Sequence, residues 1–134
     1  YHLENEIPNY TSVSFNPIFK DHIYFVYLNQ KQSSKLAIAN YVSKRHQVNE
    51  TISAINKITF ESINCVDESQ FTKLMQKHEA IMSNVLGLQT TQEKLFPDFK
   101  GVVKSLGAWG GDFVMVIAKD NPKEYFFPES GHFF

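Results

Sequence analysis

The chain has 134 residues and a mass of 15.4 kDa, enough for one domain with a substantial core. Apolar residues make up 43% and charged residues 20%, with 12 Phe and 6 Tyr, which excludes disorder, collagen-like sequence and a coiled coil. The 13 basic and 14 acidic residues leave a net charge of −1, which excludes a strongly basic nucleic-acid footprint.

The single cysteine, Cys65, rules out an internal disulfide and a cysteine cluster, in keeping with a reducing, cytoplasmic setting. No window approaches the ~20 apolar residues that span a bilayer, and neither end reads as a signal peptide, so no membrane partner is expected. The chain opens on Tyr1 and closes on His132, Phe133 and Phe134, an end that would expose two large rings to water. It is therefore expected to be a single domain, residues 1–134, taken from a longer protein.

Val13 and Phe15 alternate with Ser12 and Ser14, which predicts a half-buried strand over 10–15, broken by Asn16-Pro17. Residues 22–28, dense in Ile, Tyr, Phe and Val, predict a central strand. A polar loop follows, and Ser33-Ser34 are good caps for a helix over about 35–45. Ile52, Ile55, Ile58 and Ile63 predict a second helix from about 49. In the third, Asp67 caps, Gln70 stands at the third helical position, and Phe71, Leu74, Met75, Met82, Val85 and Leu86 form the apolar stripe. Gly87 stands where a left-handed residue would stop it.

A helical turn is expected around 92–96, then strands over 101–106 and 113–119. Asn121-Pro122-Lys123 could open a last short helix, with Gly131 and the aromatic end in a final strand. Strands separated by helices, then a hairpin, predict an α+β fold: an antiparallel sheet with helices packed on one face.

The chemistry-bearing feature is the run from Gly101 to Phe113, with Lys104 on the incoming strand, Gly107, Ala108, Trp109, Gly110 and Gly111 in the bend, and Asp112 at its exit. Glycines there permit positive φ and close approach of a ligand, and successive N–H groups can converge on an anion. An ordinary tight hairpin requires glycines as well. Trp109 must find a packing surface: a ligand, a partner domain or the chain's own helices. Histidines 2, 22, 46, 78 and 132 make no metal signature. His78-Glu79 on the third helix is expected at a helix surface or core edge, and Cys65 as an apolar filler. Lys44-Arg45-His46 and Lys119 with Lys123 read as solvated charges. Ser33-Ser34 cap a helix whose N–H groups could also meet an anion.

The order of Leu86-Gly87-Leu88, Leu95, and then Gly101, Lys104, Gly107, Ala108, Gly110 and Gly111 resembles the C-terminal half of the GHMP kinases. That superfamily includes galactokinase, homoserine kinase, mevalonate kinase and phosphomevalonate kinase. The strand-loop-helix over 24–41, with Lys31, Ser33 and Ser34 in its loop, is similar to the same domain. The wording KSLGAWGGDF looks like a bacterial, mevalonate-kinase-like branch. The resemblance covers about 14–127 and is specific around the glycine loop.

The resemblance implies a ferredoxin-like C-terminal domain and ATP-dependent phosphorylation of a small-molecule metabolite, with ATP and Mg²⁺ in the complete enzyme. It places Lys104 as anchor of the loop, Gly107, Ala108, Gly110, Gly111 and Asp112 towards the phosphates, and Lys31, Ser33, Ser34 and Trp109 towards the acceptor. Trp109 and Asp112 depart from the small residues usual at those positions. Asp112 would contact substrate or metal, or cap the turn. The glycine- and serine-rich phosphate loop and acceptor-side carboxylate of the N-terminal half are missing from these residues, so this chain alone is not expected to catalyse.

Its expected partner is that N-terminal half, docked on an apolar face through which two copies could also pair. The rival reading is a stand-alone ferredoxin-like ligand-binding or subunit-interaction domain. A hydrolase using His78 or Asp112 ranks last, because no nucleophile accompanies them.

Overall fold

A computed structural model describes residues 1–29, 34–43, 48–107, 109 and 111–128 of the chain. Strands β1 (His2–Glu4) and β2 (Ile7–Asn9) form an exposed antiparallel hairpin through Asn5 and Glu6, both with left-handed backbone. This is the conformation that lets a two-residue turn follow strand twist. The sequence carries no glycine there to announce it. The strand expected over 10–15 is absent. That stretch joins no strand among the described residues, and Phe15 instead lays its ring 5.9 Å from Phe71.

A 3-10 turn at Lys20–His22 leads into β3 (Ile23–Tyr27), followed by α1 (Ser34–Ser43), α2 (Val48–Ile63) and α3 (Glu68–Leu86). Asp67 caps α3 by accepting from the Ser69 N–H, and Gly87 ends it in the left-handed conformation, as expected. Gln70 does not close a capping box, because its side-chain oxygen lies 3.5 Å from Cys65 Sγ. The box belongs to the next helix, α4 (Thr91–Leu95), where Thr90 and Glu93 cap each other. Strands β4 (Val102–Ser105) and β5 (Phe113–Ile117) and helix α5 (Lys123–Phe126) complete the described chain. The expected final strand lies outside the described residues.

The result is an α+β fold, with a two-stranded and a three-stranded antiparallel sheet, compatible with a ferredoxin-like arrangement. The larger sheet has the order β3-β5-β4, with Val103 and Tyr24 both opposite Val116. Among the described residues β3 is therefore an edge strand, and the expectation of a central one is corrected. The central strand is β5, whose residues 114–117 are buried on both faces.

Alternation along the strands divides the core into two layers. Val102, Met115 and Ile117 meet Ile58 of α2 and Phe71, Leu74 and Met75 of α3. Val26, Val103, Val114 and Val116 face the other way, onto Phe96 and Phe126, so the long helices cover one face and short segments close the other. Gln92 closes the outer edge of β4. Its side-chain oxygen accepts from Val103 N–H, and its amide donates to the carbonyls of Gly101 and Phe99. The free edge hydrogen bonds are thereby satisfied by a side chain. No described helix is long and apolar enough to cross a membrane.

Phe126 is fully buried, its ring 4.9 Å from Phe96 and 5.2 Å from Phe99. Phe126→Ala is expected to lower unfolding free energy by about 3–5 kcal/mol in urea titration, through lost transfer energy and the cavity left behind. A change under about 1 kcal/mol would show that α5 is not part of the cooperative core.

Candidate functional site at the glycine turn

The turn between β4 and β5 has the backbone its glycines predict. Gly107 has φ of 64°, and a Cβ on Gly111 would stand 3.0 Å from the Leu106 carbonyl oxygen. Trp109 also has positive φ, 60°, although it carries a large side chain. For an L-residue that conformation costs roughly 1–2 kcal/mol, so the surroundings must hold it. Ala108 and Gly110 lie outside the described residues.

At the exit, the Asp112 carbonyl accepts the Leu28 N–H at 2.6 Å. That bond sets the end of β3, and with it the start of the β3–α1 connection, against the turn. Ser34 is the first residue of α1, one position earlier than expected, its side chain is not among those described, and the cap position before it lies outside the described residues. Lys31 and Ser33 lie outside the described residues. The structure thus brings Lys104, Gly107, Trp109, Gly111, Asp112 and the start of α1's connection to one end of the sheet.

A residue that sequence reasoning left at a helix surface or core edge proves central. Glu79 of α3 has a side chain only 5% exposed, and its Oε1 receives two donors. Lys104 Nζ lies 3.3 Å away and Trp109 donates its indole N–H at 3.1 Å. Lys104, with a side chain 12% exposed, also donates to the Ser105 carbonyl at 3.0 Å. Glu79 Oε2 is buried and has no hydrogen-bond partner among the described residues.

The signal was present in the sequence: the apolar stripe of α3 is interrupted between Met75 and Met82 by His78 and Glu79. A carboxylate one turn beyond a buried Met must be paired, since unpaired buried charge is excluded on energetic grounds. Lys104, in register with Met115 on the same face of the sheet, was the available cation.

His78 adjoins this pair. Its Nδ1 is buried without a partner, and its pKa is lowered to about 4, first by burial and then by the charge of Lys104. The imidazole is neutral at physiological pH, a potential acceptor rather than a cation.

Lys104 is committed to Glu79 and to the Ser105 carbonyl, so it does not stand as a free ammonium beside the turn. Among the described residues no three His, Cys, Asp or Glu side chains converge as metal ligands. A cleft of about 500 Å³ runs along Glu79, between α3, α4 and the edge of β4. A wider one, about 1050 Å³, lies at the opposite end of the sheet, beside Lys73, Lys100, Gly101 and Lys119. No family model, curated protein or solved structure matches the chain.

The sign of the His78 effect follows from its direction. The unfolded chain binds a proton near pH 6.5 that the folded chain accepts only near 4. Stability from this group is complete above pH 6.5 and falls as pH drops towards 4, with a slope of at most about 1.4 kcal/mol per pH unit. Urea titrations at pH 7 and pH 5 are expected to show a loss that His78→Gln reduces. NMR titration of Lys104→Met should show the His78 pKa moving up. An unmoved pKa would contradict the proximity of the two groups.

Proposed function

We propose that the chain is the C-terminal domain of an ATP-dependent small-molecule kinase of the GHMP type, mevalonate-kinase-like, with its glycine turn bordering the phosphate and acceptor cleft. The observation that carries this reading is the Leu28–Asp112 hydrogen bond, which ties the end of β3 to the exit of the glycine turn. Phosphoryl transfer needs positioning and donors aimed at phosphate oxygens more than it needs covalent chemistry. A turn with glycines at 107, 110 and 111 offers such donors at close approach.

The residues here fit the phosphate end of ATP·Mg²⁺ and nothing more of it. The phosphate loop, the metal ligands and the acceptor-side carboxylate belong, in this reading, to the N-terminal half. Lys104 acts as anchor of the turn through Glu79. Gly107, Ala108, Gly110, Gly111 and Asp112 border the phosphates, while Lys31, Ser33, Ser34 and Trp109 shape the acceptor side. Exposed Phe25, Tyr27 and Phe113, with the last two rings 5.0 Å apart, supply an apolar surface beside the turn for the N-terminal half or for a second copy. The setting is cytoplasmic.

The rival reading, a stand-alone ligand-binding or subunit-interaction domain, is favoured by one observation: Lys104, on the strand entering the turn, is paired internally with Glu79.

The test is phosphoryl transfer from ATP to mevalonate and related small alcohols by the protein of the complete reading frame. Gly107→Val, which forces a β-branched residue into the left-handed conformation, is expected to lower turnover about 100-fold by misplacing the turn. Unchanged turnover would remove the turn from the active site, and specific ligand binding by the chain without any phosphate-loop half would favour the rival.

A further inference from the structure

The half-buried Trp109 side chain donates its indole N–H to Glu79 of α3, although its backbone conformation is one that bulky residues avoid. Three observations converge on the group that holds it. Glu79 is buried, one of its oxygens receives both the Trp109 indole N–H and the Lys104 ammonium, and the other receives nothing from the described residues. Here the donors reach a single atom from two sides, one from the strand entering the turn and one from its middle.

We infer that Glu79 is the positioning residue of the glycine turn: it fixes Trp109 in the left-handed conformation and so sets the direction in which the turn's backbone N–H groups point. The inference rests on the reading of the turn as a phosphate-side loop and adds to it the residue that prepares the loop before any ligand arrives. Preorganised donors are more effective than donors that must be ordered by the ligand itself. Glu79 touches no reacting atom in this scheme and acts only through Trp109 and Lys104.

Trp109 is the only tryptophan in the chain, so its fluorescence reports the docked turn directly. In the native protein its emission is expected to be blue-shifted and protected from acrylamide. Glu79→Ala should shift the emission to the red and raise the quenching constant severalfold while far-UV circular dichroism stays native. Glu79→Gln, which keeps an acceptor for the indole, should restore most of the protection.

Phe126→Ala serves as control: it destabilises the fold elsewhere and should leave native-state emission unchanged, which separates positioning from general loss of stability. Native emission and quenching in Glu79→Ala would overturn the inference, as would an equal change in the Phe126→Ala control. The experiment needs no nucleotide, so its failure removes the role of Glu79 and leaves the kinase reading to its own assay.

Discussion

A carboxylate buried in the middle of a helix constrains everything packed against it. Glu79 occupies the apolar stripe of α3, where it meets Lys104 on β4, and the pair joins the helical layer to the sheet. Breaking such a pair by removing one partner typically costs about 3–5 kcal/mol, because a charge is then left without compensation. A salt bridge of this kind is weak evidence of net stability when compared with an apolar pair. What it supplies is registry: α3 cannot slide along β4, and the Trp109 indole has one place to donate. The turn takes its shape from a residue nearly thirty positions earlier in the chain.

The sheet determines what that turn can meet. β5 is central, so its N-terminal end lies between the ends of β3 and β4, and the Leu28–Asp112 bond closes the arrangement. The glycine turn and the end of β3 therefore meet at one end of the sheet. On the same side Phe25, Tyr27 and Phe113 leave aromatic surface in water.

Much of the fold was legible because local signals were strong. The stripe of α3, its Asp67 cap and Gly87 stop, and the apolar runs of β4 and β5 each follow from residues close in sequence. The α+β antiparallel arrangement followed from their order. The hairpin of β1 and β2 was hidden because Asn5-Glu6 adopts a turn usually announced by glycine. Residues 10–15 alternate like a strand but join neither sheet among the described residues, and periodicity carries no information about partners. β3 looked central because it is rich in β-branched and aromatic residues, yet two of its aromatic side chains, Phe25 and Tyr27, face water. The glycine turn was visible at once. Glu79 was not, because its meaning depends on Lys104 and Trp109, 25 and 30 residues away. Its one local sign was the interruption of an apolar stripe.

The central claim is that the Trp109 indole N–H is held by Glu79 inside the protein. The most direct measurement is hydrogen exchange of that single indole proton by NMR at neutral pH. The account predicts one sharp resonance with exchange markedly slower than free indole. Exchange at the rate of free indole, in a chain whose α3 and β5 amides remain protected, would contradict it.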